Sequence, residues 1–246
     1  MIRDDFWLDW DNALSRGIIC QRELEFDGAE PDTETVRVPG RSGDIVYWDG
    51  AYKNVKGTAS CYVLCEHAAE ARTAIAGWLL HNQQYRRLET LSEPGIFRLA
   101  RIANGGKLAH RLDLLAPFEI EFDCLPQKYL REGEEEREFT AAGVIVNPTA
   151  FEARPLLTVH GTTGAASVVI GTWRLSMQDA DEIVIDCESM RCWKGSEAAD
   201  SAVTFQKITP GGNVRAGAPR IAPGENSVRW SGAATGLTIV PRWWTL

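Results

Sequence analysis

The amino-acid sequence predicts a mainly β protein of two domains. Three observations carry this expectation: apolar and polar residues alternate with period two along most of the chain, a single stretch has helical periodicity, and a charged segment with no apolar residue divides the chain near its middle. The chain has 246 residues, 44% of them hydrophobic and 24% charged. That composition is ordinary for a globular protein, and the length suits one large domain or two ordinary ones.

The elements follow in order. Strands are expected at residues 35–38, 44–48 and 60–65, where β-branched and aromatic residues gather between Gly, Pro and Asp punctuation. Residues 66–83 are Ala-rich and place Ala71, Ile75, Trp78 and Leu79 at i, i+4, i+7 and i+8, the spacing of one helix face. Gly77 inside that helix costs about 1 kcal/mol relative to Ala, so a close packing contact is expected there. A strand at 97–103 precedes Asn104-Gly105-Gly106, a dipeptide and glycine that tolerate positive φ and predict a tight β-hairpin. In residues 118–124, Phe118, Ile120, Phe122 and Cys124 share one face, while Glu119, Glu121 and Asp123 share the other. This is a strand with one buried and one wet side.

The divide is residues 131–138, five Glu and two Arg around one Gly. Domains of residues 1–137 and 138–246 are expected on either side. The second half is richer in Gly, Pro and Thr, with strands expected at 155–160, 167–177, 182–187, 227–230 and 237–246, the turn-punctuated spacing of a β-sandwich. No internal repeat is visible.

Several function classes are disfavoured. With 26 Lys+Arg against 34 Asp+Glu the net charge is −8, the wrong sign for unaided binding to a phosphate backbone. No apolar run approaches the roughly 20 residues of a membrane span, and the polar start lacks a signal-peptide pattern, so a protein made in the cytoplasm without membrane insertion is expected. Cys20, Cys61, Cys65, Cys124, Cys187 and Cys192 form no C-x-x-C pair, and His67, His81, His110 and His160 are scattered. Reduced thiols packed as small hydrophobes are expected, with no metal and no cofactor. Glu119 and Glu121, about 7 Å apart along a strand, resemble a glycosidase carboxylate pair, but any wet strand face yields that pattern. Asp9 with Asp11, and Asp179 with Asp181, suit turns and caps better than a calcium loop. Gly40-Arg-Ser-Gly43 is one residue short of a nucleophile elbow, and residues 211–217 lack the Lys of a phosphate loop. No catalytic set assembles. Among nine tryptophans, Trp173, Trp193, Trp230, Trp243 and Trp244 include candidates for a sugar-stacking platform, with core packing the commoner use of the residue. Trp243 and Trp244, being adjacent, are expected on opposite faces of a strand.

From Val38 to Asn54 the sequence Val-Pro-Gly-Arg-Ser-Gly-Asp-Ile-Val-Tyr-Trp-Asp-Gly-Ala-Tyr-Lys-Asn closely resembles the distal tail protein (Dit) family of long-tailed phages with non-contractile tails. The resemblance continues in order through Gly77-Trp78-Leu79, Phe122 to Pro126, Tyr129, Asn147-Pro148-Thr149, Arg154-Pro155, Gly161, Ile185 to Cys187, Pro223 to Asn226, Trp230 to Gly232 and the terminal Pro241 to Trp244. It covers nearly the whole chain.

The resemblance implies an N-terminal β-sandwich with one α-helix and a β-hairpin, six copies of which form a homo-hexameric ring, and a C-terminal galectin-like β-sandwich. It implies a structural virion protein without enzymatic activity, the hub of a siphovirus tail tip or baseplate. The ring would join the major tail protein of the tube to a tail-associated lysin or tip protein and to receptor-binding or other baseplate proteins. The genome would pass through without being held, which gives the net charge a use as an acidic lumen. A closed ring needs two different contact surfaces on each copy. The candidates for protomer interface or lumen are Pro39, Gly40, Arg41 and Gly43, together with Asn104 and Gly105. Arg41 suits a neighbour's carboxylate or carbonyls, and equally a cap on its own sheet. Trp193, Trp243 and Trp244 are the candidate partner or glycan surface. The alternative reading is a carbohydrate-binding module for cell-surface glycans.

Overall fold

The computed structural model describes residues 4–64, 68–105, 110–111, 114–209, 214–215 and 217–246. The chain is mainly β and divides into two compact units, Met1–Lys128 with Leu246, and Tyr129–Thr245.

The first unit opens with β1 (Phe6–Leu8) and β2 (Asp11–Asn12), joined through Asp9 and Trp10, both at positive φ. There follow β3 (Ile18–Cys20), β4 (Glu25–Phe26), β5 (Pro31–Val36), β6 (Ile45–Tyr52), β7 (Val55–Leu64), helix α1 (Ala68–Leu80), β8 (Arg86–Thr90), β9 (Ile96–Asn104), β10 (His110–Arg111) and β11 (Leu114–Leu130). The sheet runs β2-β1-β8-β9-β11-β7-β3, with β4 on β7 and β10 on β11. In the β7–β11 ladder, Cys61, Ala59 and Gly57 face Phe118, Ile120 and Phe122. The period-two reading therefore holds: Phe118, Ile120, Phe122 and Cys124 are buried, whereas Lys56 bridges to Glu121 on the outer side at 2.8 Å. At Gly57 a Cβ would sit 2.8 Å from the Phe26 ring, which explains a glycine inside a strand.

Helix α1 lays Ile75, Trp78 and Leu79 on this core. Its last carbonyls, of Trp78 and Leu79, accept hydrogen bonds from the buried Arg86 guanidinium at 3.3 and 3.1 Å, a cation at the negative end of the helix. Residues 66 and 67 of the expected helix lie outside the described residues, as does Cys65. The contact expected at Gly77 is absent: the residue is exposed, with nothing within 4 Å of where a Cβ would stand. Strand β9 covers the expected 97–103 and runs on to Asn104, and its sheet neighbour β11 begins at Leu114. Gly106 lies outside the described residues.

The second unit contains β12 (Arg137–Phe139), β13 (Gly143–Asn147), β14 (Leu156–Ile170), β15 (Trp173–Met177), β16 (Ile183–Asp186), β17 (Arg191–Lys194), β18 (Glu197–Ala198), β19 (Val203–Ile208), β20 (Val214–Arg215), β21 (Gly224–Val240) and β22 (Trp244–Thr245). The long strands β14 and β21 pair along their length, while β14 takes β16 as its other neighbour in its first half and β15 in its second. The ladder bends between Gly161 and Ala166. A Cβ at Gly161 would lie 2.6 Å from the Ala233 carbonyl oxygen, and one at Gly232, at φ +80°, 2.3 Å from that of Ala165. Glycines at such corners let one strand serve two sheet directions. The core holds Leu157, Val159, Val168, Leu175, Ile185, Leu237 and Ile239.

Two strand expectations change here. Residues 167–177 are not one strand, because Gly171, at φ +56°, and Thr172 form a two-residue turn between Ile170 and Trp173. The separate signals at 227–230 and 237–246 belong to one strand, β21, which stops at Val240 before Pro241. The charged segment begins with a 3-10 turn, Arg131–Glu134, in which Gly133 is buried: a Cβ there would lie 2.3 Å from the Trp243 nitrogen.

The motifs that carry the resemblance in this unit are loop staples. Asn147 donates to the carbonyls of Phe151 and Ile221 and accepts from Thr149, and Asn226 donates to the carbonyls of Ala222 and Gly224. Both asparagines are buried, where an unpaired amide costs more than its hydrogen bonds return.

Candidate assembly surface

Among the described residues strands β5 and β6 pair only with each other, as a two-stranded ribbon outside the main sheet. Residues 30–51 are all exposed. Cross-strand pairing puts Thr33 with Trp48 and Thr35 with Val46 on one face, and Glu34 with Tyr47 and Val36 with Ile45 on the other. Both faces thus carry large apolar side chains in solvent, with Val46 61% and Tyr47 64% exposed. Trp48 packs edge-on against Tyr52 at 5.5 Å, and its Nε1 donates to the Ala51 carbonyl at 2.7 Å. The base is pinned by a hydrogen bond from the Lys53 N–H to Glu30 O.

An isolated two-stranded ribbon is marginally stable in water. An exposed apolar surface on such an element marks an interaction site. The ribbon is an arm whose residues remain exposed from Pro31 to Ala51, with cover among the described residues only at its base, at Tyr52.

The arm's tip holds four of the expected residues. The Arg41 N–H donates to Val38 O at 3.2 Å, and Gly40 and Gly43 take φ of +80° and +81°, which a glycine adopts without strain. Pro39, Gly40, Arg41 and Gly43 are exposed, and the Arg41 guanidinium has no hydrogen-bond or ion-pair partner among the described residues. Asn104 and Gly105 stand elsewhere. Asn104 lines a cleft of about 450 Å³ with Gln21, Ser60, Glu119 and Glu121, and Gly105 rests on Leu79 and Leu80.

The other expectations resolve by partner. Glu121 is held by Lys56, whose ammonium pKa is raised by that hydrogen bond. Asp9 accepts the N–H of Arg87, and Asp11 pairs with Arg16, whose hydrogen bond holds its carboxyl below the usual range. Asp179 and Asp181 share Lys194 at 2.9 and 3.0 Å. Among the described residues no three His, Cys, Asp or Glu side chains gather as metal ligands. Gly211 to Asn213 lie outside the described residues. Cys20, Cys61, Cys124, Cys187 and Cys192 are free and buried, and burial pushes the Cys124 thiol up to about 12 and Cys192 to about 11.

Trp243 is a core residue, 3% exposed. Trp244 is half-buried, stacked on Phe151 at 4.4 Å with its Nε1 donating to Glu152 O, and Trp193 is half-buried on β17. The exposed tryptophans are Trp10 and Trp48, both in the first unit. The legible signal for the arm was apolar residues at both odd and even positions of β6 between two glycine-punctuated turns, a pattern wet on neither side.

No family model and no curated protein matches the chain. Its fold is similar to a solved structure described as "Crystal Structure of SPP1 Dit (gp 19.1) Protein, a Paradigm of Hub Adsorption Apparatus in Gram-positive Infecting Phages", with a TM-score of 0.68 over 99% of each chain at 13% identity.

Proposed function

We propose that this chain is a distal tail protein, the hub of a long-tailed phage's tail tip. The observation that carries the reading is the end-to-end likeness of fold to a phage hub protein, both units included. In this reading six copies close a ring through heterologous contacts, and the β5–β6 arm is the device that closes it. Each copy offers its arm to the next, burying Val46, Trp48, Ile45 or Tyr47 according to the face covered. Arg41, unpaired at the tip, meets carboxylates or carbonyl oxygens of the neighbour. Asn104 and Gly105 lie at a second protomer contact or the lumen.

The ring would connect the tube of major tail protein on one side to a tail-associated lysin or tip protein on the other, with receptor-binding proteins at its periphery. The role is structural and asks for no catalysis. The acidic surplus of the chain would line the lumen and repel the passing genome. Immunogold labelling of phage particles with an antibody to the purified chain tests the reading: label confined to the distal tail end is expected, and label on the capsid or along the tube overturns it.

A further inference from the structure

The second unit carries a polar sheet face with two arginines on it. Strands β19, β15, β14 and β21 lie side by side, and their register aligns two rows on the outward face. One row reads Gln206, Arg174, Val169, Arg229. The next reads Thr204, Ser176, Ser167, Ser231. Between them Val168 and Leu175 point into the core, with Trp230 opposite Val168.

Arg174, Val169, Arg229, Ser176, Ser167 and Ser231 line a cleft of about 510 Å³, with Trp230 at its side. Among the described residues none of the seven polar side chains of the two rows has a hydrogen-bond or ion-pair partner. Elsewhere in the unit Arg191 pairs with Asp200, Arg220 with Glu152 and Arg242 with Asp186. Two unpaired arginines in two aligned rows that hold no acid, in a chain of net charge −8, are a local reversal of sign.

We propose that this face binds an anionic glycan. Hydroxyl and amide groups both donate and accept, which is what sugar hydroxyls require. The arginine forks match carboxylate or phosphate oxygens. Val169, only 7% exposed between the two arginine stems, is an apolar floor for the C–H face of a sugar ring. Arg174 and Arg229 flank β14 on the strands either side, a separation of about 10 Å from strand spacing. A small inorganic anion cannot reach both, whereas a chain of charged sugars lying across the strands does. Two cations are too few to hold a nucleic acid against salt.

The test titrates the full chain with alginate (carboxylate), a phosphomannan (phosphodiester), neutral dextran and polyglutamate. Saturable binding to alginate or to the phosphomannan is expected, and which of them binds identifies the anionic group. R174Q/R229Q weakens it at least tenfold with the thermal midpoint unchanged, S231D, on an exposed side chain, weakens it likewise, and dextran does not bind. The proposal is overturned if neither charged polymer binds, if binding survives both variants, or if polyglutamate binds as tightly, which would make the occupant an acidic protein segment. Tail-tip labelling is independent of every one of these outcomes.

Discussion

The β5–β6 arm and the β14–β21 ladder are both antiparallel pairs, yet only one is finished within the chain. The β14–β21 pair buries Leu157, Val168, Leu237 and Ile239 on one face and shows water the other. The arm leaves both faces exposed from Pro31 to Ala51 while carrying Val46, Trp48, Ile45 and Tyr47. A ladder's hydrogen bonds are worth little net, and the apolar face decides its stability. The first pair is therefore a folding element, and the second is, in the function proposed above, an assembly element.

The comparison can be broken by substitutions that should act on one side only. The largest effect is expected at the β14–β21 corner. Gly232→Val forces a β-branched residue into φ +80° and a Cβ against the Ala165 carbonyl, costing on the order of 4 kcal/mol, read as a fall in the denaturant midpoint of the second unit. An unchanged midpoint would show that the corner is not a fixed bend.

A smaller effect is expected at Asp186. Burial pulls its carboxyl up, but the hydrogen bonds from Arg242 and the Glu188 N–H outweigh that and hold it below its ordinary value. A carboxyl lowered in the folded state adds stability that is present above the unfolded value of about 4 and is lost as pH falls through the folded value. Asp186→Asn should therefore be less stable than the parent at pH 7, with the gap closing as the pH drops from about 5 to below 4. A gap constant across that range in chemical denaturation would remove the pair from the account.

The smallest effect has the opposite sign. Gly77→Ala adds a methyl into open space on an exposed helix position and should stabilise the first unit by up to about 1 kcal/mol. Destabilisation would mean that the position is covered.

The sequence made the finished elements legible and the unfinished one only partly so. Alternation in residues 118–124 located a buried strand because Phe118, Ile120 and Phe122 are selected by an intrachain core. It merged β14 with β15 because the run is β-rich on both sides of Gly171 and Thr172, although the buried positions switch there from even, Val168 and Ile170, to odd, Trp173 and Leu175. The arm's strands were visible as β-rich runs, but their isolation was not, since nothing in a period-two pattern tells whether the burying surface belongs to the same chain. Arg174 and Arg229 were invisible for a related reason: 55 residues separate two side chains that register alone aligns across β14.

The central claim is that the arm is buried by other copies. Native mass spectrometry of the full chain, beside a variant in which Val46 and Trp48 are both Ser, tests it most directly. The account predicts a six-copy species for the parent, with a monomer of unchanged thermal midpoint for the variant. A variant that assembles as the parent does, or one that loses its own fold, would contradict it.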